Sequence, residues 1–169
     1  MGGNKMNNND RLIRLRYALE IKNSEMVEIF KLGGMDFSKE EIIKILTKVN
    51  EDSTEEEQME CTNDMLDAFL NGFIIYERGV QEPKPGQTPK PVPTLGDENV
   101  NNILLKKLRI ALSLTSDDML DIMHDANTRI TKSELGAVLR TEGHRNYKPC
   151  GDRYVRNFLK GLALSYRRD

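Results

Sequence analysis

Leu15-Arg16-Tyr17-Ala18-Leu19 decides the fold, because the chain repeats it as Leu108-Arg109-Ile110-Ala111-Leu112. Outward from this pair, the same landmarks recur in the same order. Met26 and Ile29 return as Met119 and Ile122. Ser38-Lys39-Glu40-Glu41 returns as Thr131-Lys132-Ser133-Glu134. Cys61 with Phe69-Leu70-Asn71-Gly72 returns as Cys150 with Phe158-Leu159-Lys160-Gly161. One structural unit is therefore duplicated in tandem. Each copy has only about eighty residues, close to the lower limit for an independent core, so the two are expected to share one.

The local pattern within each copy is helical. From Asp10, the apolar residues Leu12, Leu15, Ala18 and Leu19 follow helical spacing, and the first helix is expected to end near Ile21. Arg16 and its repeat equivalent Arg109 fall at the edge of the apolar stripe, which predicts a packed stem and a head paired with a carboxylate. A second helix is marked by Thr115-Ser116-Asp117-Asp118 in the second copy, with Asn23 or Ser24 as the cap in the first. Gly33-Gly34 and Ala126-Asn127 end these helices by supplying a left-handed residue. Ser38 with Glu41, and Thr131 with Glu134, are capping boxes for a third helix. A fourth runs from about Asn63 to Glu77 and again from about Asp152 to Tyr166. Gly72 and Gly161 lie inside it, where glycine costs about 1 kcal/mol against alanine. Keeping glycine there twice predicts close approach of another helix.

The expected architecture is all-α: two similar four-helix repeats related by a pseudo-two-fold. Residues 1–9 read as a flexible tail, 10–78 as the first repeat and 99–169 as the second. Residues 79–98, which hold Pro83, Pro85, Pro89, Pro91 and Pro93, read as an extended spacer. No apolar run approaches the length of a membrane span. The polar start lacks the apolar segment of a signal peptide, so a cytoplasmic protein is expected. Cys61 and Cys150 read as reduced, mostly buried thiols, with no CxxC to suggest redox work.

The doubled L-R-x-A-L, the Met-x-x-Ile helix, the S/T-x-x-E box, Gly143-His144-x-Asn146-Tyr147 with Cys150-Gly151-Asp152, and Asn157-Phe158-Leu159-Lys160-Gly161-Leu162 together resemble the YehS-like family. These are small bacterial proteins made of two copies of a domain of unknown function. The resemblance runs from about Asn8 to Tyr166 and implies an all-helical chain. It implies no activity, cofactor or partner. The proline-rich spacer is longer than the family needs.

Searches for chemistry find little. The sequence has no P-loop, G-x-G-x-x-G, H-E-x-x-H, G-x-S-x-G or EF-hand spacing. Of two histidines, His124 is expected on a solvated helix face, and His144 lies in the loop before Cys150. His144 and Cys150 are two ligands, which do not make a metal site. Nor do they find a convergent third group for catalysis. No catalytic residue, metal or cofactor is assigned.

Charge is more informative. The net charge is only −2, yet residues 20–67 hold five Lys or Arg against fourteen Asp or Glu, and residues 129–169 hold ten against four. The second repeat thereby offers a candidate binding face: Arg140, His144, Arg145, Tyr147, Lys148, Arg153, Arg156 and Lys160. That face is expected to meet acid, in a protein partner, in a second copy, or in the acidic region 51–60. The alternative is a nucleic-acid binder. A helix-turn-helix fits poorly: Ile29 and Phe30 are bulky where two helices must cross, and Glu40 and Glu41 open the second helix where groove contacts belong. The expected function is a non-enzymatic binding or regulatory module with a macromolecular, chiefly protein, partner and no membrane role.

Overall fold

The computed structural model describes residues 6–48, 58–79 and 95–167, and among them all regular structure is helical. The first lobe contains α1 (Asn8–Leu19), α2 (Asn23–Leu32), α3 (Lys39–Ile45) and α4 (Asn63–Arg78). The second contains α5 (Val100–Ala111), α6 (Ser116–Asp125), α7 (Lys132–Leu139) and α8 (Asp152–Tyr166). The caps read for α3, α6 and α7 are present. Ser38 Oγ accepts from the Glu41 N–H at 3.1 Å while the Glu41 carboxylate accepts from the Ser38 N–H at 2.9 Å. Thr131 accepts from the Glu134 N–H at 3.0 Å, and Thr115 from the Asp118 N–H at 3.0 Å. These bonds satisfy donors that a helix start otherwise leaves open. α2 is not capped by Asn23 or Ser24 as expected: both lie inside the helix, Lys22 precedes it without a side-chain cap bond, and the Glu25 carboxylate accepts from the Lys22 N–H at 2.9 Å.

Gly34 (φ 97°) and Asn127 (φ 56°) take the left-handed conformation after α2 and α6, as expected. α1 and α5 end the same way on non-glycine residues, Glu20 (φ 54°) and Ser113 (φ 53°). The helical glycines mark close crossings. A Cβ on Gly72 would stand 1.9 Å from the Ile29 carbonyl oxygen, and one on Gly161 would stand 1.9 Å from that of Ile122. The backbone of α4 thus lies against α2, and that of α8 against α6.

The lobes interlock. α1 packs on α8 of the other lobe rather than chiefly on its own α4, and α5 packs on α4 rather than chiefly on α8. Both cross-lobe pairs are parallel. Arg11 near the start of α1 reaches Asp152 at the start of α8, while Arg167 just past α8 donates to the Tyr17 carbonyl near the end of α1. Likewise Asn63 of α4 donates to Asp97 just before α5, and Arg78 ending α4 donates to the Ile110 carbonyl near the end of α5. Exchanging the lobes exchanges the two pairs, which is the pseudo-two-fold. The consequence is one continuous apolar core drawn from all eight helices, with Leu15, Phe30, Phe69, Leu108, Phe158 and Leu162 at its centre.

Two boundaries differ from expectation. α1 begins at Asn8, inside the stretch read as a tail, because Asn7 caps it and Asn8 and Asn9 are buried. Leu95, in the stretch read as spacer, is also buried; it packs into the core and the turn after it leads into α5. The remainder of that stretch, 80–94, and residues 1–5 lie outside the described residues, as do 49–57, which hold most of the acidic region. No helix among the described residues is long and apolar enough to cross a membrane.

Candidate functional site

The expected basic face is assembled in parts. On α8, Arg153, Arg156 and Lys160 recur at i, i+3 and i+7, which places them on one stripe. Arg153 and Lys160 are exposed and Arg156 is half-buried. Lys148 and Arg145 are exposed in the α7–α8 loop. That loop is pinned by the Lys148 N–H on the Ala137 carbonyl at 3.0 Å and by Asn102 Nδ2 on the Lys148 carbonyl at 2.9 Å. Arg140 ends α7 half-buried and folds its guanidinium back toward Gly136. Tyr147 is half-buried with an unpartnered hydroxyl, and burial raises its pKa. Among the described residues, Arg145, Lys148, Arg153, Arg156 and Lys160 make no ion pair.

Arg16 and Arg109 lie elsewhere, in the last turns of α1 and α5. Among the described residues, neither meets the expected carboxylate. Arg16 donates to the Asn23 amide oxygen at 3.0 Å, and Arg109 to the Leu114 carbonyl at 3.2 Å. The reason is local: the tight turns after α1 and α5 bring the next residues, not an acid, beneath these heads.

Sequence reading missed a residue that belongs to the face. Because α1 packs on α8 as α5 packs on α4, the repeat gives Arg14 the position on the α1–α8 seam that Lys107 holds on the α5–α4 seam. Arg14 is exposed and, among the described residues, makes no hydrogen bond or ion pair. Its repeat equivalent Lys107 sits in the matching seam between α5 and α4. There Lys107 is buried, and its Nζ lies 2.5 Å from Asp67 Oδ1 and 2.7 Å from Asn71 Oδ1. The positions equivalent to Asp67 and Asn71 are Arg156 and Lys160.

A polar network also went unseen. Asn9 donates to the Ile45 and Met59 carbonyls at 2.9 and 2.8 Å and accepts from the Cys61 N–H at 3.0 Å. Asn102 does the same with Val138, Lys148 and Cys150 at 2.9, 2.9 and 2.9 Å. On the pseudo-axis, Arg11 donates to Asn8, Asn101 and Asp152 at 2.9, 2.9 and 3.3 Å. Burial lowers the Arg11 pKa, opposed by Asp152. Burial likewise disfavours the Asp152 carboxylate, but hydrogen bonds from Asn101 and the Met6 N–H, with the charges of Arg11 and Arg156, hold its pKa below the usual range. The helix starts here surround an open cleft of about 1210 Å³ lined by Asn8, Arg11, Cys61, Asn101, Cys150 and Asp152. Asn8, Arg11, Asn101 and Asp152 bond to one another there and so serve the fold. The signal for the network was present: Asn8-Asn9 recurs as Asn101-Asn102, at the spacing that separates Leu15 from Leu108.

The candidate chemical groups stay apart. Both thiols are buried, and burial pushes their pKa values up to about 12, which leaves them protonated and unreactive. His124 is exposed as expected. His144 is exposed too, and its Nδ1 accepts from the Asn146 N–H at 3.0 Å. Asp152 is engaged by Arg11 and Asn101. No group of three metal-ligating side chains occurs among the described residues.

Comparison with known proteins agrees with the duplication. No solved structure matches the chain. Over 158 residues it is 38% identical to "Uncharacterized protein YehS" of Escherichia coli (strain K12), covering 94% of this chain and 95% of that protein. A single family matches both lobes, at residues 8–79 and 101–168. The chain therefore belongs to that family, described as protein of unknown function (DUF1456), and carries its domain twice.

Proposed function

We propose that the protein is a non-enzymatic binding module of the cytoplasm that uses the basic side of its second lobe to take an acidic protein partner. The observation that carries this reading is the set of unpaired cations on α8 and the α7–α8 loop in a chain of net charge −2. Five cations gathered on one side, with Asp152 at the head of α8 already bonded to Arg11 and Asn101, form a surface complementary to an acidic partner. The protonated thiols and engaged Asp152 support a non-enzymatic role. Against nucleic acid stands the helix pair α2–α3, whose crossing is filled by buried Ile29 and Phe30 and whose second helix opens with Glu40 and Glu41.

The test is capture from a bacterial cytosol, with and without nuclease, using the full chain and a variant with Arg145, Lys148, Arg153 and Arg156 changed to glutamine. The expected result is a nuclease-resistant protein partner that the variant loses. Material recovered only without nuclease, or retained by the variant, would overturn the reading.

A further inference from the structure

The two cross-lobe seams are built alike but charged differently. In the α5–α4 seam, a cation from the first-type helix lies between two side chains one turn apart on the fourth-type helix, a carboxylate and an amide oxygen. The pseudo-two-fold places Arg14 at the same level of the α1–α8 seam. The two receiving positions there are Arg156 and Lys160, so three positive charges stand where the other seam has a closed pair. The acids nearest along the chain are already used. Asp10 accepts from the Asn7 N–H in the α1 cap, and Asp152, which also feels the charge of Arg156, is bonded to Arg11 and Asn101. Glu20 lies at the far end of the seam, with Arg167. Arg14 turns out to solvent while its equivalent Lys107 is buried. Like charges gathered on a seam destabilise it, and a broken local rule of this kind marks functional positions.

We infer that the α1–α8 seam is a carboxylate socket: Arg14 and Arg156 grip one acidic side chain of a protein partner, and Lys160 takes a second acid beside it. The inference rests on the proposed acidic-partner reading and gives it a location. The α5–α4 seam supplies the template, because it shows that a carboxylate at this level satisfies the first-helix cation. The occupant is thus an acidic peptide segment, in which Asp or Glu replaces the missing equivalent of Asp67. Arg156, with its planar fork, suits a two-pronged bond to that carboxylate. The socket spans both lobes, so it exists only when they are interlocked.

The decisive variant is Arg156→Asp in the full chain, which copies the acid of the other seam and gives Arg14 an internal partner. Binding is read by anisotropy of a fluorescein-labelled octaglutamate peptide at low salt, with an octathymidine strand as the competing probe. Arg156→Asp should weaken peptide binding roughly tenfold or more. Arg14→Gln should weaken binding in the wild-type background. In the Arg156→Asp background it should have no effect on binding and should lower the melting temperature instead. Should Arg156→Asp fail to fold, Arg14→Gln combined with Lys160→Gln tests the same socket from exposed positions and should also weaken binding. If binding survives Arg14→Gln with Lys160→Gln, or survives a folded Arg156→Asp, but is lost on changing Arg145 and Lys148 to glutamine, the socket is wrong and the acidic-partner reading stands. If the wild type ignores the peptide, or prefers the oligonucleotide, both fall.

Discussion

Asn9 and Asn102 each satisfy three buried backbone groups with one amide, and they do so at equivalent places in the two lobes. Truncation to alanine leaves a cysteine N–H and two carbonyls unpaired, so Asn9→Ala and Asn102→Ala should each lose about 3 kcal/mol. Urea denaturation measures this directly, and a loss below about 1 kcal/mol would show that water replaces the amide. Asp152 makes a pH prediction. Its folded pKa is depressed despite burial, by the bonds from Asn101 and Met6 and by Arg11. Such a carboxyl adds stability above its unfolded pKa, about 3.9, and that stability is lost as the pH falls through the folded value. Wild-type stability should therefore decline below about pH 5 more steeply than that of Asp152→Asn. Parallel curves in urea melts from neutral to acid pH would refute it. The Asn8-Asn9 doublet was legible as a repeat, but nothing local says that a polar residue near a chain end is buried. Composition points the other way, and only the fold supplies the carbonyls that these amides reach.

At the scale of elements, the glycines of α4 and α8 set how closely neighbouring helices approach. Gly72→Ala and Gly161→Ala would press a methyl group into the carbonyls of Ile29 and Ile122. Each should cost about 3 kcal/mol, with the backbone forced to shift, and each should lower the melting temperature. A neutral outcome would mean that the crossings are looser than described. The caps, the helix ends and these glycines were legible because they act within a few residues of themselves. Ser38 and Thr131 announce their helices through an acid three residues on, whatever packs above them. The left-handed ends at Glu20 and Ser113 were not legible, since neither residue type announces that conformation. Nor were the partners of Arg16 and Arg109, which depend on how tightly the next turn folds.

The whole molecule depends on which fourth-type helix each first-type helix chooses. α4 and α8 present near-identical apolar stripes to α1, so the repeat itself conceals the exchange. The sequence predicts one shared core; that α1 crosses to α8 is visible only in three dimensions. The interlock predicts that residues 1–79 and 95–169, made separately, will not melt cooperatively as monomers. Mixed, they should form a one-to-one complex with a single cooperative transition, observed by sedimentation and calorimetry. Two independent monomeric melts would contradict the shared core. The pairing of α1 with α8 also bears on how the protein is born. Arg11 and Asp152 stand 141 residues apart in the chain, and Arg167 and Tyr17 stand 150 apart. At about 5–20 residues per second, a ribosome leaves the apolar stripe of α1 waiting on the order of ten seconds for its neighbour. α8 leaves the exit tunnel long after α1 and completes its shelter, so a nascent chain stalled before Asp152 exposes that stripe to proteases and chaperones that the interlocked chain excludes.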